Sequence, residues 1–282
     1  MIGRMRMERG VIGRLPYLGL GRGAPMLFLG GLSLEAGVGA AGTEWMNASL
    51  LKPFANRRRV LFVNRRKALP RGMSMAELAE EHADAIRSLD AGPVDVAGIS
   101  TGGSIAQQLA ADHPDVVDRL VLLSTACRLV TDGRVLQRRV AARVRRGAHR
   151  KAVAVMMAGL VPPRRGQLVA AALGLLAGPS MLAGGDDLAD MATTIEAEDG
   201  FDLATCRSPI RAPTLILVGS ADRFYSPELF AETARLIPGS RLRVFERRGH
   251  VTVARHPEWS REIESFIGGA RPPAPPPPSS GR

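Results

Sequence analysis

The sequence predicts an α/β protein: a mostly parallel, doubly wound sheet whose strands are interrupted in the chain by a helical insertion. Short apolar runs alternate with segments of helical periodicity through the first 130 residues or so, the pattern of strands joined by crossover helices. The alternation stops between about Thr131 and Gly200, where no stretch reads convincingly as a strand, and resumes from Thr214. The chain has 282 residues, 45% of them hydrophobic, enough for one large α/β domain with an insertion.

In order, Pro25–Leu29 is a buried-strand run that stops at Gly30-Gly31, and Arg59–Val63 is a second. From Ser74 to Leu89, apolar residues recur near helical spacing, with Ser74 as the cap and Glu77 three residues on. Val94–Ala97 is a strand that stops at Gly98; a helix from Thr101 to Asp112 follows and ends before Pro114, and Arg119–Leu123 is the next strand. After the insertion come strands at Thr214–Val218 and Arg241–Phe245. Helices are expected at Pro227–Ile237 and Pro257–Ile267, each with proline in its first turn. These readings divide the chain into a core in two parts, residues 1–130 and 201–270, a helical cap at 131–200, and a tail at 271–282 whose Pro and Ser content cannot build a core.

Composition narrows the function classes. The net charge is +11, which suits nucleic acid, anionic lipid or acidic substrates. Aromatic residues make up only 4%, which argues against the stacking platforms of single-strand binders. No apolar run reaches the roughly 18 residues of a membrane span. No secretory signal is read at the N-terminus, and a cytoplasmic location is expected. Cys127 and Cys206 are too few and too far apart for a disulfide framework or a zinc site.

Gly98-Ile99-Ser100-Thr101-Gly102 is a GxSxG pattern placed directly between an apolar strand and a helix. A sharp strand-to-helix turn lifts the serine hydroxyl above the sheet edge. It also aims the N–H groups of the following helix at the place where an oxyanion would form. The bland reading is a glycine-rich turn with Ser100 capping the helix. A serine needs a base. Of five histidines, His82 lies on the apolar stripe of a helix, His113 ends the helix after Ser100, His149 sits in a basic run, and His256 precedes Pro257. His250 differs: it stands on a loop at the carboxyl end of the last strand, where α/β sheets build their sites.

The base in turn needs an acceptor. Asp222 follows the strand ending at Val218, although an Asx turn explains its spacing equally well. Asp199 and Asp202 compete from the insertion or its exit, and Glu246 from within its strand. Ser100, Asp222 and His250 give the chain order Ser, Asp, His. The loop Leu29-Gly30-Gly31-Leu32-Ser33 is expected to supply the second half of an oxyanion hole, with the N–H groups of Leu32 and Thr101 as donors.

With these residues in view, the chain resembles the single-domain α/β hydrolases with a helical cap, the group of small esterases and cofactor-free haloperoxidase-like perhydrolases. The resemblance covers roughly residues 10 to 268. It is carried by GISTGG at Gly98 to Gly103, LVGSADRFYSP at Leu217 to Pro227, and RRGHVTVARHPE at Arg247 to Glu258. It implies Ser100 as nucleophile, Asp222 as acid and His250 as base. Many such relatives carry His-Gly where this chain has Gly30-Gly31, which changes what supports the oxyanion loop. Serine at the nucleophile position disfavours the aspartyl-ester chemistry of dehalogenases and epoxide hydrolases.

The expected function is therefore hydrolysis of a carboxylic ester or related small acyl compound, apolar or anionic, without metal or organic cofactor. Thioester cleavage, C–C bond hydrolysis and peracid formation use the same triad. A non-catalytic small-molecule binder and a basic-surface lipid- or nucleic-acid-binding protein are the readings of another class; nucleic acid and a membrane surface are both disfavoured. In the cap, Met156, Met157, Leu160, Leu173, Leu175, Leu176 and Met181 are candidates for an apolar acyl pocket or for packing the cap onto the core. The basic stretch Arg134 to Lys151 reads first as a solvated helix face.

Overall fold

The computed structural model describes residues 7–39, 41–159, 165–181 and 185–269. Its elements run β1 (Glu8–Ile12), β2 (Leu15–Leu20), β3 (Pro25–Leu29), α1 (Ala41–Leu51), β4 (Arg59–Val63), α2 (Met75–Arg87), β5 (Val94–Ile99), α3 (Thr101–Asp112) and β6 (Val117–Leu123). Four helices follow: α4 (Thr131–Arg145), α5 (His149–Gly159), α6 (Arg165–Met181) and α7 (Gly185–Asp199). The chain then returns through β7 (Thr214–Gly219), α8 (Pro227–Leu236), β8 (Arg241–Phe245) and α9 (Trp259–Gly268).

The strands form one sheet in the order β1-β2-β4-β3-β5-β6-β7-β8. The pairs β1–β2 and β2–β4 are antiparallel and all others parallel. Both faces of the central strands are covered, which is why these strands read as unbroken apolar runs. Leu27 and Leu29, Leu120 and Leu122, Ile216 and Val218 point to the face packed by α2, α3 and α8. Their neighbours Met26 and Phe28, Val121 and Leu123, Leu215 and Leu217 point to the other face, against Leu51, Phe54 and the Trp259–Ile263 side of α9. Period-two alternation thus distributes one apolar strand between two cores.

The boundary of α2 follows from its cap. Ser74 Oγ accepts from Glu77 N at 3.2 Å while Ser74 N donates to the Glu77 carboxylate at 2.7 Å, a reciprocal capping box. The structure departs from the sequence expectation at the β1–β2 hairpin, at α1, which no expectation covered, and at the last helix. The β1–β2 hairpin has a weak strand pattern because its strands carry Glu8, Arg9 and three glycine or proline residues; its signal is the two-residue turn Gly13-Arg14, with Gly13 at φ 57°. The last helix begins at Trp259, not Pro257. A single 3₁₀ turn at Val253–Arg255 ends at His256, which takes the extended backbone (ψ 133°) that a following proline imposes.

Helices α4, α5 and α7 share a small core of their own, built from Val140, Val144, Leu188, Met191 and Ile195 among others. Leu32 and Leu34 of the loop after β3 pack against it. On α6, Leu173, Leu175 and Leu176 are exposed, Leu176 at 78%, so they neither line a pocket nor pack the insertion onto the core as expected. Met156 and Met157 are half-buried; Leu160 and the Met181 side chain lie outside the described residues, as does the Pro-rich tail. Among the described residues no helix is long and apolar enough to cross a membrane.

Candidate active site

Ser100 stands between β5 and α3 at φ 53°, ψ −125°, a region that disfavours a side chain and costs on the order of 1–3 kcal/mol. Its neighbours make the turn possible. A Cβ on Gly98 would run into the Gly102 carbonyl, and one on Gly102 into the carbonyls of Leu29 and Gly30. Ser100 N donates to Leu123 O at 3.0 Å, tying the turn to the end of β6. The hydroxyl makes no helix-capping bond. It lies 2.9 Å from His250 Nε2 instead.

His250 sits on the loop after β8, and its Nδ1 is 2.9 Å from Asp222 Oδ2. The Asp222 side chain is fully buried and that of His250 only 11% exposed. Asp222 Oδ1 meanwhile accepts from Phe224 N at 2.9 Å and Tyr225 N at 3.4 Å. The Asx turn and the pairing with histidine are therefore both present, one on each oxygen. The competing carboxylates are engaged elsewhere: Asp199 with Arg138 at 2.7 Å, Asp202 with Ala204 N at 3.0 Å, Glu246 with the Ser220 hydroxyl at 3.0 Å. The imidazole is held by Phe224 (ring centroids 4.6 Å apart) and Tyr225 (5.9 Å). Ser124 Oγ donates to His250 O at 2.8 Å. No sequence signal marked Ser124 or Phe224 for these contacts.

The other histidines have structural environments. His82 is buried with Nδ1 2.7 Å from Leu78 O, and burial lowers its pKa. His113 ends α3 with its backbone N–H on Leu109 O, and its ring meets Glu80 at 3.2 Å. His256 packs on Phe245, and His149 opens α5, half-buried. The cysteines are poor rivals for a nucleophile. Burial, aided by Asp112 and Asp202, pushes the Cys206 thiol up to about 11, and burial also raises that of Cys127.

The loop after β3 passes directly over the turn that carries Ser100. A Cβ on Gly31 would meet Ile99 O at 3.2 Å and Ser100 Cβ at 3.3 Å. Leu32 and Thr101 line one small cavity of about 20 Å³ together with Gly30 and Gly31, room for about one water molecule. Thr101 opens α3, so its N–H is among those a helix leaves unfilled. Asn64 and Arg65, directly after β4, brace this loop. Asn64 Nδ2 donates to Ser33 Oγ, Glu35 O and Gly37 O at 3.2, 3.1 and 2.6 Å, and Arg65 donates to Ser33 O at 2.7 Å. Both are buried. Phe224 also lines a cavity of about 520 Å³ together with Val135, Leu136 and Val155, with Asp132 and Arg139 among its polar lining. Among the described residues no group of three His, Cys, Asp or Glu is placed to hold a metal ion.

Comparison with known proteins identifies the family. The model of the alpha/beta hydrolase family matches residues 26–262. Over 202 residues the chain is 29% identical to a pimeloyl–acyl-carrier-protein methyl ester esterase of Neisseria meningitidis, a match covering 67% of this chain and 62% of the relative. The chain thus spans less than two thirds of that relative's length. Among solved structures it resembles MGS-M2, an alpha/beta hydrolase enzyme from a Medee basin deep-sea metagenome library. The TM-score is 0.75 at 15% identity, over 94% of this chain and 98% of the other. A thermophilic esterase from Thermogutta terrifontis gives a TM-score of 0.70 at 23% identity, over 93% and 98%. At such identities these two likenesses concern the fold alone.

Proposed function

Because the chain belongs to the alpha/beta hydrolase family, we propose that it is a serine hydrolase that cleaves a carboxylic ester or related acyl compound through an acyl-enzyme on Ser100. The observation that carries this reading is the continuous chain Ser100 Oγ, His250 Nε2, His250 Nδ1, Asp222 Oδ2, with 2.9 Å at both hydrogen bonds. His250 Nε2 takes the hydroxyl proton as Oγ attacks the carbonyl carbon. The negative charge that develops on the carbonyl oxygen is received by the N–H groups of Leu32 and Thr101. The protonated imidazole, stabilised by buried Asp222, then gives its proton to the leaving alkoxide. Water repeats the sequence on the acyl-enzyme: Nε2 removes its proton, the hydroxide attacks, and Ser100 leaves with the proton.

The helical insertion serves as a cap in this reading, since Leu32 packs against its core and burial of the site excludes water. The 520 Å³ cavity beside Phe224 is large enough for a small acyl or alcohol group, and Arg139 suits an anionic one. The esterase relative's name concerns a methyl ester, which favours an ester over the thioester, C–C bond and peracid chemistries that share the triad. The test is labelling with a fluorophosphonate probe, followed by ester and thioester panels of graded chain length. Wild-type protein is expected to label and Ser100→Ala to be silent in both assays. Folded wild-type protein that stays unlabelled would sink the hydrolase reading, and activity surviving in Ser100→Ala would sink the site.

A further inference from the structure

Asp222 is not alone as a buried carboxylate near Ser100. Glu198, near the end of α7, is 1% exposed. It accepts from Thr101 Oγ1 at 2.7 Å, Ser104 Oγ at 2.9 Å, Gln137 Nε2 at 3.0 Å and Tyr225 OH at 3.4 Å. Each carboxylate oxygen takes two of the four donors. Both oxygens are thereby filled by neutral polar side chains. No cation of the described residues lies within ion-pair distance of it. An unpaired buried charge is costly unless hydrogen bonds satisfy it fully, and here polar neutral side chains do so from three directions: α3, α4 and the segment after Asp222.

We propose that Glu198 is a positioning residue for the Ser100 centre, its carboxylate locking the first turn of α3, which presents the Thr101 N–H, to the Tyr225 ring that packs on His250. This rests on the serine-hydrolase reading above. Thr101 and Ser104 stand one helical turn apart, on one face of α3, and both hydroxyls converge on Glu198. The position at a helix N-terminus also suits a negative charge. Tyr225 is wholly buried; burial, with Glu198 and Asp222 near it, holds its phenol well above its ordinary pKa, so it remains a donor to the carboxylate. Its ring lies 5.9 Å from that of His250 at an interplanar angle of 28°. A single side chain of the insertion thereby touches both halves of the reacting centre, the residue after the nucleophile and the wall behind the base.

The test uses the full-length protein, a p-nitrophenyl ester, and phenylboronic acid, which forms a tetrahedral adduct on a nucleophilic serine. Glu198→Gln is expected to lower kcat about 10- to 100-fold with KM within about twofold, and to weaken phenylboronic acid by a factor similar to the loss in kcat/KM. Thr101→Val removes one donor and is expected to lower kcat in the same way. The Glu198→Gln/Thr101→Val double variant is expected to be little worse than the poorer single variant, because both act through one contact. A merely structural role would lower thermal stability and leave the KM-against-kcat split and the boronic acid affinity of the folded fraction unmoved. Unchanged kcat in folded Glu198→Gln, or single effects that multiply in the double variant, would overturn the proposal. Should Glu198→Gln not fold, Thr101→Val decides alone, and wild-type kcat in it overturns the proposal. Wild-type protein that neither labels with fluorophosphonate nor turns over the ester overturns the serine-hydrolase reading itself; an active wild type beside an indifferent Glu198→Gln overturns only the role of Glu198.

Discussion

The two oxygens of Asp222 have separate duties: Oδ1 closes a turn on Phe224 N and Tyr225 N, and Oδ2 meets His250 Nδ1. Asp222→Asn separates them. An amide oxygen can keep the turn while the amide nitrogen presents hydrogens to Nδ1, forcing the wrong tautomer. Thermal stability is expected to change little, while kcat falls by about 10⁴-fold; a loss of stability with kcat retained would show that the turn is the whole role of Asp222. At this scale much of the candidate site was legible. Ser100, Asp222 and His250 each follow a strand directly or by a short loop, and the fold brings these three together within hydrogen-bonding distance. Ser124, Asn64, Arg65 and Glu198 were not legible. Each acts on a backbone or side chain far away in the chain, and nothing in their immediate sequence distinguishes them from ordinary polar residues.

The loop after β3 has no regular structure of its own, and its conformation is borrowed from β4. Asn64 bridges three positions between Ser33 and Gly37, and Arg65 holds Ser33 O. Asn64→Ala removes the shared donor from three half-buried acceptors, at about 1 kcal/mol for each bond lost. The expected result is a lower denaturation midpoint together with a fall in kcat, as the loop that carries the proposed Leu32 donor loses its brace; urea titration and ester turnover measure the two separately. Stability lost with kcat intact would mean that the loop holds its shape without the brace. Elements with strong local grammar behaved as their sequences read. β3, β4, β8 and α3 have the expected limits, and the Ser74–Glu77 box starts α2. The β1–β2 hairpin lacked that grammar, since its strands depend on pairing with each other and with β4 more than on composition.

Across the molecule, the insertion is fastened to the core by two buried acids on α7. Glu198 reaches Thr101, 97 residues away in the chain. Asp190 accepts from Ala68 N at 3.0 Å and Leu69 N at 2.8 Å, more than 120 residues away. Ala68 takes φ 57°, so a strained backbone is held where two N–H groups meet one carboxylate. Asp190→Asn can satisfy only one of them and sets its amide N–H against the other. It is expected to destabilise the protein by about 1–3 kcal/mol and to open α7 to limited proteolysis before the sheet unfolds. A cleavage pattern like that of the wild type would show that the insertion is held by other contacts. The basic stretch from Arg134 to Lys151 is likewise divided by tertiary packing: Arg138 and Arg145 pair with Asp199 and Glu196 at 2.7 Å, while Arg139, Arg146, Arg150 and Lys151 are exposed.

By itself the sequence determined the α/β class, the central strands, the place where the sheet is interrupted, and a serine, an acid and a histidine at strand ends. All of these depend on periodicity and on glycine, proline and serine over a few neighbouring residues, where backbone sterics and burial act locally. Only the tertiary structure decided which oxygen of Asp222 faces the imidazole, what braces the loop after β3, and how the insertion meets the turn at Ser100. Those outcomes depend on donors and acceptors tens to more than a hundred residues apart, and a buried polar group finds its partner by position in space, which no local pattern records.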